Sequence, residues 1–196
     1  MEIAIFGGTF DPPTLAHEAM IGAVLMRSEI DEVWVMPSGK RTDKPGMESD
    51  EERLHMLNLI KHHTFADDPR LKISDFEMRL PRPTQTYRTF QALKKAFPED
   101  HFHFIFGVDS YLDMPNWDYG EQLRGELDLL LVERQGYERP PRGNNIDYLE
   151  VPGVVEMALS SSEVRQSLSL GRCISGMVSP ILSDYLQGER LYCPVQ

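Results

Sequence analysis

The stretch Gly7-Gly8-Thr9-Phe10-Asp11-Pro12-Pro13-Thr14-Leu15-Ala16-His17 follows the short apolar run Ile3-Ala4-Ile5-Phe6. This order predicts a buried strand, a glycine turn and a helix that begins near Thr14. Paired glycines let the main chain approach a bulky anion without a Cβ in the way. Pro12 and Pro13 set the entry angle and remove amides that a regular structure would need. Thr14 and His17, three apart, share one helix face. Backbone amides, a hydroxyl and an imidazole thus gather at the positive end of a helix, where phosphate binds readily. A plain packing turn is the competing reading, since two glycines alone are weak evidence. The segment is neither the G-x-G-x-x-G fingerprint nor a P-loop, because it lacks the third glycine and the Gly-Lys-Ser/Thr ending. The added Thr-x-x-His is what turns the reading toward phosphate, because merely reversing the chain needs neither residue.

Working outward, apolar or aromatic runs recur at Ile3–Phe6, Val33–Met36, Leu71–Ile73, Phe102–Phe106 and Leu127–Val132. Helix-patterned segments separate the first four: Leu15–Met26, Glu51–Ile60 (with Leu54, Leu57 and Leu59) and Thr89–Phe97 (with Phe90, Leu93 and Ala96). A shorter aromatic-rich stretch precedes the fifth run. Alternation of this kind predicts an α/β fold, a doubly wound, mostly parallel sheet with helices on both faces. Ligands of such sheets bind beyond the carboxyl ends of the strands, where strand order reverses. Three irregular stretches, Pro37–Met47, Asp75–Thr84 and Glu133–Asn145, each follow a predicted strand and are expected to open on that side. The absence of a composition break places all of residues 1–196 in one domain.

Composition narrows the function classes. A net charge of −11 argues against a broad nucleic-acid surface. It leaves room for a small anion, because local cations can reverse the field within a cleft. Lys40, Arg41 and Lys44 share one loop, and Arg134 and Arg165 each follow an apolar segment. No apolar run is long enough for a bilayer and no signal peptide is visible, so the cytoplasm is the expected location and no membrane partner is expected. The two cysteines, Cys173 and Cys193, show no metal-site spacing and read as reduced thiols. The six histidines form no helical metal pair, and His101 and His103, two apart in a strand, read as exposed-face residues.

A second anion signal lies at Leu159-Ser160-Ser161-Ser162-Glu163-Val164-Arg165. Ser160 with Glu163 fits a capping box, so a helix starts here. Capping does not account for Ser161, Ser162 and Arg165, which together form an anion-binding set at a helix start. Between the two signals, Phe104–Asp109 reads as a strand ending in glycine and aspartate. Gly107 would let a ligand approach, and Asp109 would accept hydrogen bonds from it. Trp117 would stack on a flat heteroaromatic ring or pack in the core.

At this point Gly7–His17 resembles the G-x-F-x-P-x-[H/T]-x-G-H signature of the nucleotidylyltransferase superfamily, and Leu159–Arg165 resembles its I-S-S-T-x-I-R signature. Over nearly its whole length the chain is similar to the bacterial nicotinate-nucleotide adenylyltransferases. Arg53 with Met56, Glu77 with Pro83–Thr86, Arg134-Gln135-Gly136 and the closing Val178–Tyr192 also match. The resemblance implies a Rossmann-like fold and a reaction that joins ATP to nicotinate mononucleotide, releasing pyrophosphate, with Mg²⁺ carried on ATP. It implies His17, Thr14 and Arg165 as catalytic groups. Gly7, Gly8, Thr9, Phe10, Thr14, His17, Gly107, Ser161, Ser162 and Arg165 would bind ATP. Lys44, Thr86, Asp109, Trp117 and Arg134 would bind the mononucleotide. Nicotinamide mononucleotide or phosphopantetheine as acceptor, and a non-catalytic nucleotide sensor, are the alternatives, and an oligomer is left open. Thr14 stands where histidine is usual, Ala16 where glycine is usual, and Gln85 where tyrosine is common. A methyl at Ala16 is expected to crowd the phosphates.

Overall fold

In a computed structural model, which describes residues 1–39, 47–82, 85–153 and 159–193, six strands form one parallel sheet. They are β1 (Glu2–Gly8), β2 (Glu32–Pro37), β3 (Leu71–Ile73), β4 (His101–Gly107), β5 (Asp128–Val132) and β6 (Ile146–Tyr148), in the order β3-β2-β1-β4-β5-β6. This is the doubly wound order with its reversal between β1 and β4. The expected α/β, Rossmann-like, mostly parallel sheet is observed.

β1 shows why both faces are covered. Ala4 and Phe6 join one core with Met20, Ile21, Val24 and Leu25 of α1 (Leu15–Leu25), while Ile3 and Ile5 join the opposite core. That second core takes Phe90 and Leu93 from α3 (Thr86–Ala96), Val108 and Tyr111 from α4 (Val108–Asp113), and Leu123 from α5 (Gly120–Glu126). A third cluster joins α2 (Asp50–His63), α6 (Ser161–Ser169) and α7 (Pro180–Gly188) through Met56, Ile60, Val164, Leu168, Leu182 and Leu186.

Several expectations need correction. β4 ends at Gly107 and Asp109 lies in the first turn of α4, because Gly107 acts as the helix N-cap. The aromatic-rich stretch holds α4, a 3₁₀ turn (Met114–Asn116) and α5, each too short to show periodicity. α7 and β6 were not anticipated, β6 following directly on a stretch rich in Pro, Gly and charge. The Glu133–Asn145 stretch does not simply open on the ligand side. β6 runs parallel to β5, so this connection must return the length of the sheet, and Asn145 donates to the carbonyls of Arg124 and Leu127 at the amino end of β5. The buried stripe of α2 is Arg53, Met56, Leu57 and Ile60, with Leu54 and Leu59 only half-buried. Ala96 in α3 is exposed. His101 is exposed as expected, but His103 is half-buried and bonded to Glu2. Neither cysteine is in a disulfide.

Candidate active site

β1 and β4 are paired only over Glu2–Ile5 and His101–Phe104. Beyond that register the strands part, so Phe6–Gly8 and Ile105–Gly107 flank an opening at the carboxyl edge. A Cβ added to Gly7 would meet no atom within 4 Å, whereas one on Gly107 would fall 2.2 Å from Asp109 Oδ1 and 2.7 Å from Arg134 Nε. Gly7 therefore faces open space. At Gly107 the missing side chain leaves room for an Asp109–Arg134 contact, with 3.5 Å between Oδ1 and Nε.

At the start of α1 the backbone N–H of Thr14 donates to His17 Nδ1 at 2.9 Å, and Thr14 Oγ1 lies 2.9 Å from the same nitrogen. An amide can only donate, so Nδ1 is the acceptor and the neutral ring carries its proton on Nε2. Phe10, in a left-handed conformation (φ 50°), packs edge-on against the imidazole with 5.1 Å between ring centroids, and Phe6 lies 5.9 Å away. Burial, with a smaller contribution from the nearby Arg134 charge, lowers the His17 pKa from 6.5 to about 4. Near neutral pH this residue is therefore an uncharged hydrogen-bond donor.

Between pH 6.5 and about 4 the unfolded chain binds a proton at this ring that the folded chain does not. Stability at this site is thus complete above pH 6.5 and falls as pH drops through the window, by roughly 2–3 kcal/mol allowing for the part of the ring that remains accessible. An NMR titration of the free protein should place the His17 midpoint near 4. The acid-side loss of stability should shrink in His17→Gln. A midpoint near 6.5 would contradict the buried, Nε2-protonated ring.

The α6 segment closes on this loop. Ser160 caps the helix, accepting from Glu163 N at 3.2 Å while its own amide donates to Glu163 Oε2 at 2.9 Å. Ser161 Oγ donates to the Pro12 carbonyl at 2.8 Å. Arg165 donates to the Asp11 carbonyl at 2.6 Å and to Ser162 Oγ at 3.1 Å. The two signals of the sequence thus form adjoining walls of one crevice. Asp11 joins them to the end of the chain. Its Oδ1 accepts from Tyr192 OH at 2.7 Å and from Glu48 N at 3.3 Å, while Oδ2 sits 3.8 Å from Arg165. Burial, reinforced by the Asp11 carboxylate, pushes the Tyr192 hydroxyl far above its usual range, so it remains a donor.

Gln85, just before α3, donates to Asp118, and Tyr87 stacks on Tyr119, so the start of α3 lies against the segment that holds Trp117. Trp117 donates to Asp113 Oδ2 at 2.9 Å and meets Phe106 edge-on, half-buried. Lys44, with Lys40 and Arg41, lies outside the described residues.

Some expected contacts are reassigned by burial. Thr14 is 0% exposed and Phe10 is buried, so these side chains hold His17 in place and present no surface to a ligand. Ala16 is 3% exposed, so its methyl is packed away from any phosphate.

The family model described as cytidylyltransferase-like matches residues 5–167. Proteins named probable nicotinate-nucleotide adenylyltransferase are similar over almost the whole chain. The one from Geobacillus thermodenitrificans is 32% identical, covering 97% of this chain and 86% of its own length. The one from Thermus thermophilus is 31% identical, covering 98% and 100%. The chain belongs to the nicotinate-nucleotide adenylyltransferase family. Among solved structures, the Plasmodium falciparum nicotinic acid mononucleotide adenylyltransferase complexed with NaAD superposes with a TM-score of 0.86 at 27% identity, covering 97% of both chains. The same enzyme complexed with APC gives 0.84 at 25% identity, covering 97% and 96%.

In this member of the family, Arg53 is the main residue that the motifs alone did not mark as part of the site. It is 0% exposed and donates to the carbonyls of Thr9 (2.8 Å) and Ser38 (2.7 Å) and to Asp50 Oδ1 (2.7 Å). One guanidinium therefore ties the turn after β1 to the end of β2 and the start of α2. A signal was available: Arg53 stands on the i, i+3, i+4, i+7 stripe with Met56, Leu57 and Ile60, where a charge must be buried and paired.

Proposed function

We propose that the protein transfers the adenylyl group of ATP to nicotinate mononucleotide, forming nicotinate adenine dinucleotide and pyrophosphate. It would act in the cytoplasm as a single nucleotidylyltransferase domain spanning residues 1–196. The observation that carries this reading is the meeting of the His17 turn and the α6 start over the parting of β1 and β4. A 5′-phosphate oxygen of the acceptor attacks the α-phosphorus of ATP in line. The new P–O bond forms as the bond to the bridging α–β oxygen breaks, and pyrophosphate leaves with the electron pair. No protein nucleophile is needed. The protein's work is to align two anions and neutralise charge on the departing group.

In this scheme His17 Nε2–H donates to an α- or β-phosphate oxygen. Ser162, Arg165 and the free amides at the start of α6 grip the triphosphate end. Gly7, Gly8 and Thr9 bring the main chain against the phosphates, while Gly107, expected beside ATP, instead makes room for the Asp109–Arg134 contact. Arg134, close enough to influence His17, offsets charge on the acceptor beside Asp109. Thr86 and Trp117 face the pyridine ring, and Lys44 serves the acceptor side or the leaving pyrophosphate. Mg²⁺ carried with ATP would supply further neutralisation of phosphate charge.

Pyrophosphate release with matched acid and amide mononucleotides tests the acceptor. Faster turnover of the acid is expected, and equal or better use of the amide would defeat the assignment. ATP binding without pyrophosphate from any acceptor would mark a sensor. Gly7→Val tests the crevice itself. The added side chain enters open space, so the melting temperature should hold while KM for ATP rises about tenfold or more, the equivalent of ~1.4 kcal/mol. Unchanged KM would place the triphosphate elsewhere.

A further inference from the structure

We propose that the amino-terminal edge of the sheet, opposite the crevice, carries a binding site for a divalent transition-metal cation of the zinc type. Its ligands are His101 and His103 with Glu2, and Asp128 stands beside them.

The sheet itself assembles this group. His101 and His103 alternate on β4 and so share one face. Glu2 on β1 is in register with His101, and Asp128 on β5 is in register with His103. Further along the same strands Ala4, Ile105 and Leu130 all enter one core, which places the polar residues on the same face, just beyond its end. One ligand atom from each of Glu2, His101 and His103 lies within 4.8 Å of the others. Glu2 Oε2 is 2.7 Å from His103 Nε2 and 3.8 Å from His101 Nδ1, and His101 Nδ1 is 3.8 Å from Asp128 Oδ2.

A tetrahedral ion with bonds of ~2.0–2.1 Å holds its ligand atoms about 3.4 Å apart. The two 3.8 Å separations need small rotamer adjustments, and the His103–Glu2 contact opens by less than an ångström as the shared proton gives way to a shared cation. Two imidazoles with one or two carboxylates form a nitrogen–oxygen set suited to zinc, copper, nickel or cobalt. Magnesium and calcium favour oxygen alone. His103 is hydrogen-bonded to Glu2, whereas His101, 3.8 Å from each of two carboxylates, is beyond hydrogen-bond distance of both. His101 and Glu2 have side chains 68% and 47% exposed, so an ion can enter without opening the fold.

β1 separates this cluster from Gly8 by six residues, about 20 Å of strand. The site is thus distinct from adenylyl transfer. Its effect is mechanical: one ion would cross-link β1 and β4, the strands that flank the parting where the crevice opens.

The test uses full-length, tag-free protein, stripped with EDTA, dialysed and titrated with ZnCl₂ in the absence of ATP by calorimetry, with thermal melting in parallel. Zinc should bind and raise the melting temperature, and MgCl₂ should do neither. His101→Gln and His103→Gln should each abolish one equivalent, or weaken it by more than the roughly 10–100-fold that loss of an outer-shell partner costs. The exposed His101 variant guards against misfolding, and its metal-free turnover with MgATP should match the parent. Zinc binding with unchanged stoichiometry and affinity in both variants would overturn the proposal. So would the absence of any heat or melting shift up to millimolar zinc.

Discussion

Replacing His17 with alanine should lower turnover by roughly 10²–10³-fold, the cost of removing one donor aimed at transition-state charge. The geometry makes the expectation specific. Nδ1 is occupied by the Thr14 amide, so only Nε2–H can reach a phosphate. Glutamine can set an N–H where Nε2 stands and should restore part of the rate, while asparagine, too short, should not. ATP affinity in the alanine variant should change far less than kcat, because a donor acting on developing charge contributes little to the ground state. Weakened ATP binding with undiminished turnover of bound substrate would contradict the role.

Arg53→Ala should produce the largest loss of stability of any substitution near the site. Truncation leaves the carbonyls of Thr9 and Ser38 buried without their donor and frees Asp50 from one partner. Breaking a buried, hydrogen-bonded charge in this way costs about 3–5 kcal/mol. In a domain of this size that corresponds to a fall in melting temperature of roughly 10 °C. Arg53→Lys keeps the charge but lacks the planar fork needed to span Thr9, Ser38 and Asp50 together, so it should recover only a minor share. Activity in the lysine variant should fall further than stability, because the Thr9 turn, proposed to bring its amides to the phosphates, loses its anchor. A melting temperature within about 2 °C of the parent in Arg53→Ala would show that water satisfies those carbonyls.

Five apolar or aromatic runs were legible as strands because turn residues bound them and, for the first four, helical periodicity separates them. β6, directly after a stretch rich in Pro, Gly and charge, was not; nor were the short helices α4 and α5, which hold too little pattern to separate from loop. The two segments that meet at the candidate site were legible, but the packing of their side chains was not. Thr14 was placed on the phosphates, yet it is a wholly buried cap for α1 whose hydroxyl serves the imidazole. Arg53 was legible only as a match to the family beside Met56; that its guanidinium joins Thr9, Ser38 and Asp50 depends on contacts up to 44 residues away.

By itself the sequence determined the local devices: a glycine turn into a helix at Gly7–His17, a capped helix start at Ser160, and alternating strands and helices. Each follows from residues a few positions apart, whose propensities and hydrogen bonds act over one turn. Tertiary structure alone decided that Ser161 meets Pro12 and Arg165 meets Asp11, across 149 and 154 residues of chain. It also set β4 beside β1 and let the two strands part. Contacts of that span are selected by the packing of the whole core, because only the complete set of buried faces determines which strand lies next to which.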